Sequence, residues 1–261
     1  MRFREPLVAL ALITASTEGA SAPVTPTAKW VVDFADARCV ASREYGASQL
    51  FLKASPLGDV VQFGIIEPGT AGPPTQVVAQ VSPDAGPAFE GTALFWATTR
   101  KPPQRIRMIN MSVADFQRLS GSPSLSFRIG ALKRDYAIPE MPALAKVMKT
   151  CVDDLQKVWS PPADGVGSRA TANLATYVTD DDYPADAIRN ALSGTTAFAL
   201  LIDESGRIAD CTVTATSGQA SLDTQTCALI SRRARFVPAK DAKGKPAKDR
   251  VTARIRWQMA N

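Results

Sequence analysis

The segment GRIADCTVTATSGQASLDTQTCALISRRARFVPA, Gly206 to Ala239, changes its periodicity once. It starts with a period of two. Ile208, Asp210, Thr212, Thr214 and Thr216 alternate with Ala209, Cys211, Val213 and Ala215, which predicts a half-buried strand rich in β-branched residues. Ser217-Gly218 breaks that pattern. Ser221 is then placed to cap a helix, and Asp223 puts a negative charge in its first turn, where the dipole favours it. Cys227, Ile230 and Ala234 recur at helical spacing, and Arg232, Arg233 and Arg235 gather at the other end. Pro238 ends the helix, because it lacks an N–H and restricts Val237 before it.

Working outward, Tyr183-Pro184 precedes a helical stretch, Ala185–Leu192, and a strand follows at Thr196–Ile202. Asp203-Glu-Ser-Gly206 suits a tight hairpin connection. Downstream, Val251, Ala253, Ile255, Trp257 and Met259 alternate with Thr252, Arg254, Arg256 and Gln258. This is the cleanest amphipathic strand in the chain, and the order becomes αββαβ.

With these residues in place, the sequence resembles the C-terminal domain of TonB-type energy transducers. The resemblance rests on Tyr183-Pro184, Gly194, Asp203 with Gly206, Ser217-Gly218, Leu222-Asp223, Phe236 with Pro238-Ala239, and Gly244. It covers Thr179 to Met259 and is silent on the rest of the chain. The expected fold class is α+β in two domains. An N-terminal antiparallel sheet ends in a helix (residues 30–159), a linker follows (160–173), and a TonB-like αββαβ domain closes the chain (174–261).

The formal net charge of +5 is modest, but its source is local. Arg232, Arg233, Arg235, Lys240, Lys243, Lys245, Lys248, Arg250, Arg254 and Arg256 crowd the C-terminal end. Such a face is either simply solvated or attracts an acidic partner or anionic lipid; no nucleic-acid-binding motif accompanies it. Residues 1–22 read as an export signal. Arg2 and Arg4 precede the apolar run Leu7–Ala15, and small residues Gly19–Ala22 offer cleavage sequences close to Pro23. The run is about half the roughly 20 residues a membrane-spanning helix needs, and no other stretch is a candidate. The expected location is periplasmic, with no transmembrane segment in the mature chain.

An oxidising destination gives meaning to the four cysteines. They allow three pairings, which sequence alone does not separate. Domain membership favours Cys39–Cys151 in the first domain and Cys211–Cys227, strand to helix, in the second.

In the first domain Trp30–Phe34, Gln49–Ala54, Val60–Ile66, Thr75–Ser82, Thr92–Thr99 and Gln104–Met111 read as strands. Ser112–Leu119 reads as a short helix, and Leu125–Ile129 and Asp135–Ile138 as the last strands. Met141–Trp159 is the strongest helix, with Leu144, Val147, Met148, Cys151, Leu155 and Val158 as its apolar stripe. The proline and glycine of Ser160–Ser168 read as an irregular linker.

The chain has no histidine, which excludes Ser-His-Asp, Cys-His and H-E-x-x-H chemistry. No phosphate-binding glycine motif occurs. The acidic cluster Asp180-Asp181-Asp182 reads as capping and solvation, because the spaced ligands of a calcium loop are missing. The expectation is a non-catalytic interaction module without metal or cofactor.

The resemblance implies an envelope partner such as an outer-membrane TonB-dependent receptor, whose extended segment pairs with the domain's sheet. Val251, Thr252, Arg254, Arg256 and Gln258 are the candidate partner-binding residues, and the two arginines would favour an acidic peptide. The anchoring helix and long periplasm-spanning spacer of a full transducer have no counterpart in the sequence, so force transmission is not expected. Monomer and dimer are both open. The competing expectation is an envelope enzyme or enzyme inhibitor acting through residues 30–159, with a carboxylate-lined cleft as its mark.

Overall fold

A computed structural model describes residues 22–35, 37–70, 74–98, 102–159 and 165–259. The expected signal peptide therefore lies outside the described residues, apart from Ala22.

The first unit is an antiparallel sheet. Its strands are β1 (Val31–Ala35), β2 (Arg38–Tyr45), β3 (Ser48–Ala54), β4 (Val60–Pro68), β5 (Thr75–Pro83), β6 (Phe89–Ala97) and β7 (Gln104–Ser112). A short helix α1 (Val113–Ser120) comes next, then β8 (Ser124–Ile129), β9 (Leu132–Ala137) and the long helix α2 (Met141–Val158). The nine strands lie in the order β1-β2-β3-β4-β7-β6-β5-β8-β9.

The sheet curls into a half-barrel. Tyr45 on β2 meets Tyr136 on β9 edge-to-face at 5.2 Å, and its hydroxyl donates to the Ala137 carbonyl at 2.8 Å. Burial pushes the Tyr45 phenol up to about 12, so it stays a neutral donor. The incoming chain helps bring the two ends together. Val24 exchanges backbone hydrogen bonds with β9, and Thr27 donates to Glu44 of β2.

Inside the curl, Leu50, Leu52, Phe63, Ile65, Ile109 and Phe127 form the core with α2. The buried stripe of α2 is Met141, Leu144, Met148, Cys151, Val152 and Leu155. Val147 and Val158 do not belong to it. They are 39% and 53% exposed: at 100° per residue both fall at the margin of the face that Met148, Cys151, Val152 and Leu155 bury, and Val158 is also the last residue of the helix. The Cys39–Cys151 disulfide, with Cα atoms 5.9 Å apart, ties β2 to α2.

Strand β2 is absent from the sequence reading. Its inward positions are Cys39, Ala41, Arg43 and Tyr45, a small residue and a charge where apolar alternation is expected. Arg43 is nevertheless buried. Its guanidinium donates to the Ala28 carbonyl at 2.7 Å and lies over the Trp30 ring.

The second unit comprises β10 (Val166–Ser168), helix α3 (Ala185–Arg189), β11 (Gly194–Ile202), β12 (Ile208–Ala215), helix α4 (Ala220–Arg233), β13 (Ala239–Asp241), β14 (Pro246–Ala247) and β15 (Asp249–Trp257). Two antiparallel sheets form, β12-β11-β15 and β10-β13-β14. The αββαβ order holds. Phe198, Leu200, Ile202, Leu222, Ile230 and Trp257 lie in a core of their own beneath α4.

Two local details depart from expectation. Ser221 is inside α4 and buried; Gln219 is the N-cap and has no side-chain cap bond. The turn is held by Asp223 instead. Its buried carboxylate accepts from the Thr196 hydroxyl at 2.7 Å, from the Ser217 N–H at 2.8 Å and from Thr216. The expected linker is also partly ordered. Residues 160–164 are outside the described set, but Val166–Ser168 pairs with β13 and Thr171 bridges to Val237. Gly167 permits this. A Cβ there would sit 2.3 Å from the Asp241 carbonyl oxygen, so the glycine serves close backbone approach rather than flexibility.

Candidate functional site

The sheet β12-β11-β15 has two lateral edges, and they are treated differently. The β12 edge is covered by the half-barrel's outer face. Asn110 of β7 donates to the Val213 carbonyl at 3.4 Å. Lys53 of β3 pairs with Asp210 at 2.8 Å, with both side chains largely buried. Leu201 of β11 is fully buried and counts with the half-barrel core. Between the units remains a cavity of about 270 Å³, faced by Leu94, Trp96 and Met108 on one side and by Cys211–Cys227 on the other. That disulfide joins β12 to α4, with Cα atoms 5.7 Å apart.

The β15 edge is open past its first two residues. The Arg250 N–H donates to the Asp249 carboxylate at 2.8 Å, and the Arg250 carbonyl accepts from the Arg169 guanidinium at 2.7 Å. Neither group bonds β11. Backbone direction alternates along a strand, and the β11–β15 register runs without a shift from Gly194↔Trp257 to Ile202↔Asp249. The N–H and C=O groups of Thr252, Arg254 and Arg256 therefore point the same way as those of Arg250, into open space. Among the described residues nothing hydrogen-bonds to them.

A clamp fixes the start of this strand. The Asp249 carboxylate is buried and accepts from Arg169 at 2.8 Å and from the Ala170 N–H at 2.9 Å. The bond to Asp249 raises the Arg169 pKa further, so the guanidinium stays charged. The far end is held by packing. The Trp257 ring meets Tyr183 edge-to-face at 5.4 Å, and its Nε1 donates to the Thr226 hydroxyl at 2.9 Å. Tyr183 in turn donates to the Leu192 carbonyl at 2.6 Å.

The hairpin before the site is equally constrained. Asp203 accepts from the N–H groups of Ser205 and Arg207. Gly206 has φ +80°, and a Cβ there would lie 2.0 Å from the Phe236 carbonyl oxygen. Only glycine fits this crossing of two loops.

Of the five candidate residues, Thr252, Arg254 and Arg256 are exposed on one face and offer their backbones to the open edge. Val251 does not. By the same alternation its backbone faces β11, and its half-buried side chain packs on the α4 core. Gln258 is exposed but lies beyond the strand, which ends at Trp257. Sequence reasoning missed Asn110, Arg169 and Asp249. Their partners are tens of residues away, and no local pattern marks them.

The acidic cluster has a structural task. Asp180–Asp182 forms a 3₁₀ turn with Thr179 and Asp182 capping each other. Asp182 also holds Arg233 in a two-pronged pair at 2.5 and 2.7 Å. The Arg233 guanidinium, with help from Thr179, holds the Asp182 carboxyl well below its ordinary range. A depressed carboxylate stabilises the fold above its unfolded pKa of roughly 3.9, and that contribution is lost as pH falls through the folded value. Asp182→Asn is therefore expected to lower Tm at neutral pH. The gap to the parent protein should narrow as pH drops below the ordinary carboxylate range, as thermal melts at stepped pH would register.

The half-barrel has further hollows, one of about 130 Å³ lined by Glu44 and Glu67 and one beside Glu90, and a groove between α1, α2 and the β3–β4 turn. The groove encloses about 330 Å³, and Asp153 is its one carboxylate. That carboxylate pairs with Lys149 at 2.7 Å. A carboxylate-lined cleft, the mark of the competing expectation, is not what this groove offers. Among the described residues no group of three or more His, Cys, Asp and Glu could hold a metal ion.

Residues 180–259 match the family model described as Gram-negative bacterial TonB protein C-terminal, so the chain carries that domain at its C-terminal end. No curated protein and no solved structure matches the chain.

Proposed function

We propose that this chain is a non-catalytic binding protein of the bacterial envelope, and that it receives an extended segment of a partner as a fourth strand along β15. The observation that carries the proposal is the inequality of the two sheet edges: β12 is covered by Asn110 and Lys53, whereas the β15 backbone is open from Thr252 to Arg256. An open edge binds by β-augmentation, in which main-chain hydrogen bonds supply affinity and alternate side chains supply choice.

The partner class is the outer-membrane TonB-dependent receptor, in keeping with the domain at residues 180–259. Arg254 and Arg256 favour acidic residues in the partner strand. They also disfavour a second copy, since β15 pairing with β15 about Arg254 would oppose like charges. Two disulfides suit an oxidising compartment. No helix among the described residues is long and apolar enough to cross a membrane.

A photo-crosslinker at Thr252, with a control at exposed Val78, tests the reading in host envelope. The expected adduct forms only from Thr252 and maps to an extended segment of a receptor. Adducts from both positions alike, or adducts on a folded domain surface, would overturn it. Arg254→Glu with Arg256→Glu should weaken capture and flatten its salt dependence, since exposed charges are screened over roughly 8 Å at physiological salt.

A further inference from the structure

We propose that the groove between α1 and α2 is the second half of a two-part site: it takes a large apolar side chain from the same partner segment that adds to β15. This rests on the β15 reading above.

Strand β3 runs under the C-terminal sheet. Lys53 meets β12 at Asp210, and three residues on the Pro56 carbonyl accepts from Arg250 of β15 at 3.3 Å. The chain thus crosses from the β12 side to the β15 side. The next residues, Leu57 and Gly58, form the tip of the β3–β4 turn and line the groove. One wall of the groove therefore touches the start of β15, the strand along which a fourth strand would lie.

The end of α2 gives a second, independent connection. The Lys248 ammonium, just before β15, sits 4.8 Å from the centre of the Trp159 ring. Gln156, one turn earlier, is on the groove rim. The two elements that touch the start of β15 are therefore two of the three that wall the groove.

Side-chain direction agrees with this. Arg250, Thr252, Arg254 and Arg256 share one sheet face, and Arg250 on that face reaches the β3–β4 turn. In an added strand every second side chain would point to the same face. The groove floor is apolar, formed by Phe116, Met148 and Val152, all buried. Its rim charges, Lys149 and Asp153, cancel each other. The groove therefore selects by shape and apolarity, whereas Arg254 and Arg256 select by charge. The occupant is an extended peptide with carboxylates opposite those arginines and a large aliphatic or aromatic residue on the flank nearest Arg250.

The test uses the full chain and a displayed library of random short peptides as the probe. Selected peptides are titrated calorimetrically against the parent protein, Ala145→Trp, Gln117→Trp and Arg254→Pro. Ala145 is half-buried and Gln117 exposed, so either tryptophan fills the groove from a position that tolerates it. Both groove-filling variants should weaken the peptides about tenfold, the scale of burying one large apolar side chain. Replacing the peptide's flanking apolar residue by alanine should weaken parent binding equally and Ala145→Trp binding no further. If Ala145→Trp and Gln117→Trp bind like the parent while Arg254→Pro does not, the groove proposal falls and the β15 reading stands. If the peptide's alanine change and the groove changes simply add, the groove proposal also falls. If Arg254→Pro binds like the parent, or the library yields no binder, both fall.

Discussion

Replacing Arg254 with proline is expected to leave the protein folded and to weaken capture of an extended partner by on the order of tenfold to a hundredfold. The two halves of this expectation come from one geometric fact. The Arg250 N–H and C=O bond to Asp249 and Arg169, so neither belongs to the β11 ladder. Register without a shift carries the same orientation to Arg254, four residues on. Its N–H is not spent on folding, and edge strands accept proline where the missing N–H faces outward. A partner strand loses that donor, worth roughly 1 kcal/mol net, and also meets the proline ring where its own backbone must approach. Ile255→Pro is the opposite control. Its backbone faces β11 and its side chain is buried, so it should unfold the C-terminal sheet. Circular dichroism with peptide titration separates the two. Unfolding of the Arg254 variant would show that the edge assignment is inverted; normal folding with normal binding would show that partners do not use this edge.

The difference between those neighbouring positions was only half legible in the sequence. The alternation from Val251 to Trp257 shows which side chains are apolar, and the structure buries Ile255 and Trp257 on that side. Backbone direction is another matter. It depends on the phase of the β11–β15 ladder, which shows only in the bonds that Asp249 and Arg250 make to Arg169, some eighty residues away. The same limit applies across the chain. Elements that carry their own periodicity, such as α2 and β12, were readable. Strand β2 was not, because its inward Arg43 is satisfied by Ala28 and Trp30 and not by strand neighbours. The Ser221 cap was a reasonable local reading, but Asp223 satisfies the turn through Thr196, on another strand. Coverage of the β12 edge by Asn110 is a relation between two separately folded sheets, and nothing near either residue announces it.

Removal of the Cys39–Cys151 bridge by paired alanine substitution is expected to cost about 5 kcal/mol, and removal of Cys211–Cys227 about 3, in the chain-entropy account of cross-links. The ordering follows from separation: 112 residues for the first pair and 16 for the second. Alanine is preferred to serine because Cys39 is fully buried and a hydroxyl there would need a partner. A loss of about 5 kcal/mol is a large part of the stability of an ordinary domain, so the half-barrel should unfold at much lower urea. The unfolding slope should rise as well, because the unfolded chain is no longer held by a long loop. The consequence reaches the candidate site. Asn110 and Lys53, which cover the β12 edge, belong to the half-barrel. Once it loosens, the C-terminal sheet presents two open edges instead of one, and that is the condition for edge-to-edge association. The Cys39→Ala, Cys151→Ala protein should therefore self-associate at urea concentrations that leave the parent monodisperse, while Cys211→Ala, Cys227→Ala should not. Sedimentation across a urea series reads both effects. Greater destabilisation from the shorter loop would reject the entropic ordering, and a monodisperse protein with its half-barrel melted would show that the β12 edge does not depend on that cover.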